Sequence, residues 1–178
     1  MTAHLLTLVI ALPLIGALVV LLVPNRDEQG ARLIRQLGLV VSLAIFALTL
    51  LVWARFDAGS AEFQFVESAP WIPAFGITYH VGVDGISLLL VVLTGFLTPI
   101  SLLSSWESVE KKTKEFTFFV LALEAAMIGV FLSLDLFLFY VFWDAMLIPM
   151  YFLIGIWATT AGSTRPSSSC STRWPAAS

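Results

Sequence analysis

Charged side chains are scarce in this chain of 178 residues. They make up 12% of it, against roughly 25% in soluble domains, whereas hydrophobic residues make up 59% and the mean hydropathy is +0.96. This composition excludes an ordinary soluble domain and predicts an integral membrane protein. The net charge of −3 averages water-exposed loops with apolar segments, and it gives no sign of a nucleic-acid partner.

Cysteine and histidine are also nearly absent. The single cysteine, Cys170, excludes an internal disulfide. We interpret His80 as a loop residue hydrogen-bonded to the backbone, with a role in proton exit as the alternative, and no second His or Cys is placed to complete a metal site. The chain has no GxGxxG, no CxxC and no pair of histidines on one helix face. We therefore expect this chain to bind no metal and no cofactor.

Long apolar runs dominate what is present. Crossing a hydrocarbon core of about 30 Å takes roughly 20 apolar residues of helix. Five runs are long enough, near residues 5–23, 33–53, 85–106, 116–133 and 136–157. An isolated strand would leave its backbone polar groups unpaired in lipid, so each run must be a helix. The predicted fold class is all-α, a polytopic membrane protein with five transmembrane helices in residues 1–158. The first run lacks the basic segment and cleavage site of a signal peptide, so we expect it to be retained.

Basic residues predict the orientation of the chain. The loops after the first and third spans are rich in them, with Arg26, Arg32, Arg35, Lys111, Lys112 and Lys114. Positively charged loops stay in the cytoplasm, so we expect the N-terminus outside and residues 55–80 outside as well. In this external segment, apolar and polar residues alternate on both sides of a Pro and Gly turn, which predicts a small hairpin between the second and third helices.

Two acidic residues lie too deep in the spans to serve as helix caps. Asp144 is the only acidic or basic residue in the run Leu136–Ala158, and Glu124 is in the middle of the fourth span. A charged side chain at the centre of a membrane helix costs about 2.5–3.5 kcal/mol, and such residues often carry ions or protons. No Lys or Arg occupies the middle of any span.

The surroundings of such an acid decide what it can do. Removal from water disfavours the charged form of a carboxylic acid, and an approaching cation favours it again, which makes a proton switch. The alternative is that one or both are neutral structural acids, hydrogen-bonded to a neighbouring helix. Asp84 and Asp135, by contrast, directly precede the third and fifth spans, and we predict that they are N-caps.

Two segments carry a family resemblance. Residues 133–157, SLDLFLFYVFWDAMLIPMYFLIGIW, and residues 79–87, YHVGVDGIS, closely resemble subunit M of bacterial NADH:quinone oxidoreductase, or respiratory complex I, called subunit 4 in mitochondria. The resemblance covers about residues 1–158, whereas the family's chain is roughly three times longer. It implies the N-terminal part of a fourteen-helix, antiporter-like subunit. Multisubunit cation/proton antiporters share this architecture and are the alternative.

The resemblance also implies a function. Asp144 stands at the position of the family's proton-carrying carboxylate, which is normally Glu and pairs with a lysine two helices later; Glu124 matches an acid in some relatives. The chain would be a proton-translocating subunit that couples electron transfer from NADH to quinone to proton pumping. The resemblance implies that other subunits hold the redox cofactors. It places the chain in the bacterial inner membrane, with other membrane subunits of complex I, lipid and protons as its partners.

Residues 159–178 break the apolar pattern. Ser, Thr, Arg and Pro dominate them, which predicts a polar, disordered tail. With a suitable choice of codons, a frame shifted by two nucleotides reads as an apolar segment of the kind that opens the family's next helix. We therefore expect a frameshift near residues 158–163, with an authentic short tail as the alternative, and we expect the truncated chain to be inactive alone.

Overall fold

Five apolar helices make up most of the structure. The computed structural model describes residues 4–24, 28–57, 59–60, 62–72, 76–106 and 112–158, so the predicted tail at 159–178 lies outside the described residues. The helices are α1 (Leu5–Leu22), α2 (Glu28–Arg55), α3 (Gly85–Ser104), α4 (Thr113–Leu132) and α5 (Leu136–Leu153), and a π-helical segment, Ile154–Ala158, continues α5. All five are long and apolar enough to cross a membrane, which confirms the predicted fold class.

Helices α2 and α4 begin earlier than predicted. We expected them near residues 33 and 116, and they begin at Glu28 and Thr113. The additional first turns contain good helix formers such as Gln29 and Lys114. Hydropathy marks only the apolar part of a helix, so turns that extend into water are missed.

Helix α4 is the centre of the bundle. It packs against α1, α2, α3 and α5, and 50% of its span is buried compared with 11% for residues 136–157. The ring of Phe142 in α5 packs against Gly129, where an added Cβ would lie 2.4 Å from that ring. Helix α5 packs against α4 on one side and leaves most of its surface uncovered by the described residues.

A two-stranded antiparallel sheet connects α2 to α3. Its strands are β1 (Gln64–Ile72) and β2 (Ile77–Val83). The sheet contacts α1, α4 and α5, and the N–H of Leu134 donates to the carbonyl of His80 at 2.9 Å. The sheet is therefore attached to the turn between α4 and α5. That it lies on the external side of the membrane remains a prediction.

A carboxylate of this sheet caps α1. Glu67 is 8% exposed; its Oε1 accepts the N–H of Leu6 at 2.8 Å, and its Oε2 accepts the N–H and the hydroxyl of Thr7. The hydroxyl of Tyr79 lies 3.0 Å from that of Thr7, and burial raises the pKa of Tyr79. His4 occupies the N-cap position but makes no side-chain capping bond within the described residues. Glu67 therefore satisfies the first-turn N–H groups from a distant part of the chain.

Candidate functional site

Two of the acids singled out in the sequence are helix caps, which confirms those predictions. Asp84 accepts the N–H of Ser87 at 2.7 Å and donates its own N–H to the Ser87 hydroxyl at 3.0 Å. Asp135 accepts the N–H groups of Phe137 and Leu138 at 2.8 and 3.3 Å. The Ser87 N–H lowers the pKa of the Asp84 carboxyl, and the Leu138 N–H lowers that of Asp135. Both side chains are committed to helix termini.

Glu124 lies inside the bundle. It is 1% exposed, and its neighbours along α4, Leu121, Ala125 and Ile128, are buried as well. Neither of its carboxyl oxygens has a hydrogen-bond partner among the described residues. The nearby Thr98 hydroxyl instead donates to the carbonyl of Thr94 at 3.1 Å. A buried acid without hydrogen-bond partners is uncommon and calls for an explanation beyond packing.

A cavity of about 320 Å³ adjoins Glu124 between α3, α4 and α5. Its lining residues are Thr94, Leu97, Thr98, Ser101, Phe116, Val120, Leu123, Glu124, Met127 and Leu153. Leu97 and Ser101 are exposed, so the cavity opens along α3.

The hydroxyl groups of this cavity were missed in the sequence analysis. Thr94, Thr98 and Ser101 follow one another at intervals of four and three residues, which places them on one face of α3. Each hydroxyl donates to the carbonyl four residues before it, at 2.8, 3.1 and 2.9 Å. Each oxygen therefore keeps the capacity to accept a hydrogen bond from another group. The regular spacing of hydroxyl residues in an apolar run was the signal that could have revealed this face.

Asp144 has different surroundings from Glu124. Both carboxylates were predicted to lie deep in their spans, and Asp144 is exposed on α5 among the described residues. The only buried residues of α5 are Leu138 and Pro149. The residue of α5 that lines the cavity is Leu153, not Asp144. Asp144 is uncovered because α5 has a helical neighbour on one side only within the described residues.

The two carboxylates nevertheless lie at the same depth. Glu124 is eight residues before Leu132, where α4 ends, and Asp144 is eight residues after Leu136, where α5 begins. At 1.5 Å per residue, each is about 12 Å along its helix from the turn that joins them. The two acids thus share a depth but not their surroundings, since Glu124 borders the cavity and Asp144 is exposed on α5.

Most of the chain matches two families of membrane proteins. Residues 8–134 match the family described as "NADH-ubiquinone oxidoreductase chain 4, amino terminus". Residues 133–171 match the family described as "NADH:quinone oxidoreductase/Mrp antiporter, TM".

Individual relatives and a solved structure are similar to the same part of the chain. NADH-ubiquinone oxidoreductase chain 4 of Arabidopsis thaliana is 45% identical over 147 residues, which are 83% of this chain and 29% of that protein. NADH-quinone oxidoreductase subunit M of Rickettsia prowazekii (strain Madrid E) is 39% identical over 151 residues, 85% of this chain and 31% of that protein. A chain of respiratory complex I from Thermus thermophilus with bound NADH has a similar fold, with a TM-score of 0.70 and 25% identity over 85% of this chain and 29% of that one.

Proposed function

The chain belongs to the NADH-ubiquinone oxidoreductase chain 4 family, which includes subunit M, and from this membership we propose that it is part of a proton-translocating membrane subunit of that enzyme. The subunit would couple electron transfer from NADH to quinone to proton pumping. The observation that carries this proposal is the pair of carboxylates in apolar helices, one of them buried without a hydrogen-bond partner among the described residues. Because the chain spans only 29–31% of these relatives, the activity is proposed for the assembled protein.

We assign Asp144 and Glu124 to the proton relay. In the proposed relay, a proton passes between the two adjacent helices at the common depth of these acids. Asp144 is exposed on α5, so a helix packed there from the rest of the protein would bring a cation directly to it. An approaching positive charge stabilises the ionised carboxylate and releases its proton, and withdrawal of the charge allows the proton to bind again.

The 178 residues alone are not expected to pump protons. The middle of each described helix contains no Lys or Arg, so the cation that switches Asp144 must come from elsewhere in the assembly. The partners proposed for this chain are the other membrane subunits of complex I, lipid and protons, and it binds no redox cofactor itself. We place it in the bacterial inner membrane with its N-terminus outside, as its basic loops predict.

A subunit of a multisubunit cation/proton antiporter is the second candidate. It is favoured by one observation, that the family matched by residues 133–171 includes Mrp antiporters. The two functions differ in their driving force, because an antiporter exchanges a cation for protons without any redox reaction. The genes beside this one would distinguish them, since respiratory subunits are expected in one case and antiporter subunits in the other.

A chimeric subunit tests the relay. Residues 1–158 would replace the matching segment of subunit M in a bacterium that makes complex I, and proton pumping would be measured in inverted membrane vesicles supplied with NADH. Asp144→Asn keeps the size of the side chain but cannot release a proton, so we expect a large loss of pumping. Asp144→Glu is expected to retain or improve pumping.

Two controls accompany this test. Asp57→Asn makes the same chemical change in the loop after α2 and should leave pumping intact. The amount of the chimeric subunit that purifies with the enzyme should be equal in all variants, which shows that each variant has assembled. Full pumping by Asp144→Asn would refute the proposed role of this residue.

A further inference from the structure

Two cavities between α3 and α4 meet at one aromatic side chain. The larger is the Glu124 cavity described above. The smaller, of about 10 Å³, is lined by Arg35, Leu102, Ser105, Trp106, Thr113, Phe116 and Thr117. Phe116 lines both cavities. We propose that they form one water path along which protons reach Glu124 from the end of α3, with the Phe116 ring as its gate; this inference rests on the proposed function and extends it.

The cavities have suitable volumes for water. A water molecule needs roughly 10–15 Å³ of accessible space, and it takes up about 30 Å³ in the liquid. The smaller cavity, at about 10 Å³, therefore holds on the order of one water. The larger, at about 320 Å³, has room for several in a row. The path is thus narrow at its outer end and wide beside the acid.

Polar groups occur along the whole path. Ser105 and Thr113 line the smaller cavity, and Thr94 and Glu124 line the larger one. From Thr94 to Ser105 and from Thr113 to Glu124 the chain advances eleven residues, about 16 Å on each helix. These lengths are equal on two helices that pack against each other, so polar groups of both helices can line the path.

The hydroxyl groups are suited to bind water. The hydroxyl of Thr117 donates to the carbonyl of Thr113 at 2.9 Å, as the hydroxyls of Thr98 and Ser101 do to carbonyls of α3. Each oxygen can then accept a hydrogen bond from water. Glu124, which has no hydrogen-bond partner among the described residues, becomes the terminal group of this chain of waters. Its partnerless burial is explained if water reaches it.

Phe116 is placed to control this chain. Apolar constrictions in membrane proteins open and close by gaining and losing water. The Phe116 ring also packs edge-on against Trp157, with 5.3 Å between ring centroids. Trp157 belongs to the π-helical segment that continues α5. A shift of α5, which carries Asp144, would therefore move the gate that leads to Glu124.

Thiol labelling of the full 178-residue chain in sealed lipid vesicles tests the path. In a Cys170→Ser background, Thr98→Cys would place a thiol in the larger cavity, and Ile100→Cys would place one at a similar depth on the exposed outer side of α3. Silver ion, a thiol-reactive cation close to a water molecule in size, would be added on the side of the loop between α3 and α4. Modification of a thiol by this reagent needs water, and apolar surroundings exclude water. Thr98→Cys should therefore react at least about tenfold faster than Ile100→Cys.

Changes at Phe116 test the gate. Phe116→Ala should speed the labelling of Thr98→Cys, and Phe116→Trp should slow it, with no effect on Ile100→Cys. If Phe116→Ala prevents folding, as judged by circular dichroism, Phe116→Leu takes its place. Equal labelling of the Thr98 and Ile100 cysteines would overturn the path and indicate that lipid or another helix fills the cavity. Equal labelling in all Phe116 variants would overturn the gate.

This experiment can fail independently of the proposed function. Labelling requires no electron transfer and no pumping, so it reports only on access of water. If Thr98→Cys reacts quickly but Asp144→Asn and Glu124→Gln both pump normally in the chimeric enzyme, the water path stands and the relay does not. If these variants stop pumping but the thiol remains unreactive, the relay stands and protons reach it by another route.

Discussion

Glu124 and Asp144 share a depth in the membrane but not an environment. Glu124 is buried in the bundle beside a cavity lined by apolar and hydroxyl side chains, whereas Asp144 is exposed on α5. The sequence shows the depth of both residues, because depth follows from the distance to the ends of an apolar run. It does not show burial, because burial depends on which helix packs against which face. This difference suggests that Glu124 receives protons inside the bundle and that Asp144 presents them to neighbouring helices.

The position of Glu124 leads to a prediction that separates stability from function. A buried polar group without partners makes an unfavourable contribution to folding, so Glu124→Leu should leave the midpoint of thermal unfolding in detergent unchanged or raise it. The same change should abolish proton pumping in the chimeric enzyme. Glu115→Leu, in the exposed first turn of α4, is the matched control and should not affect pumping. A marked fall in the unfolding midpoint of Glu124→Leu would show that the acid stabilises the fold.

The cap at Asp84 leads to a prediction about pH. Hydrogen bonds from Ser87 lower the pKa of Asp84, so its contribution to stability is fully present above the unfolded pKa of about 3.9. The contribution is lost as the pH falls through the lower pKa of the folded state. Asp84→Ala should lower the free energy of unfolding by about 1 kcal/mol at neutral pH, and the difference from the unchanged chain should shrink in acid.

Asp84→Asn is the control for this prediction. Asparagine is also a good N-cap, but it does not titrate. The free energy of unfolding of Asp84→Asn should therefore be close to that of the unchanged chain at neutral pH. It should not show the loss of stability in acid that is expected for the unchanged chain. The difference in free energy of unfolding between Asp84→Ala and the unchanged chain is measured down to pH values below the folded and the unfolded pKa of Asp84. A difference that stays constant over this range would contradict the proposed cap.

At the scale of elements, local and distant interactions differ in how well they could be predicted. The caps at Asp84 and Asp135 were predicted because each acid lies next to the helix that it caps. The cap that Glu67 provides for α1 was missed, because 60 residues separate Glu67 from Thr7. Only the folded sheet brings them together. Within β1, Glu67 is the one buried residue, and nothing in a single strand indicates what covers it.

Removal of the Glu67 carboxylate should loosen the start of α1. Glu67→Ala leaves the N–H groups of Leu6 and Thr7 without their acceptor, so their amide hydrogens should exchange faster with solvent, while those in the middle of α1 stay protected. Glu67→Gln keeps one oxygen acceptor and should have a smaller effect. Glu62→Ala, an exposed acid before β1, should have none. If Leu6 and Thr7 keep full protection in Glu67→Ala, the cap does not hold the helix.

At the scale of the whole molecule, the membrane makes the architecture predictable. Only helices satisfy the backbone of an isolated span in lipid, so five apolar runs were enough to predict five helices. The faces that these helices present to one another depend on side-chain packing, and hydropathy carries little information about it. Helix α5 shows this most clearly, since its sequence is as apolar as that of a buried helix but most of its surface is exposed within the described residues.

The exposed face of α5 is consistent with a longer protein. The chain spans 29% and 31% of the two relatives compared above, and further helices of such a protein would have a surface to pack on here. In the proposed function, this surface is where Asp144 meets the cation that changes its affinity for protons. In the same proposal, the water path supplies protons to Glu124 and Asp144 releases them.

Infrared difference spectroscopy of the chimeric enzyme during NADH oxidation tests this central claim most directly. The measurement follows the carbonyl stretch of protonated carboxylic acids, with bands assigned by their loss in Asp144→Asn and Glu124→Gln. We expect bands of both residues to rise and fall with turnover, because each acid binds and releases a proton. Bands that stay constant through turnover, with both acids held in one protonation state, would contradict it.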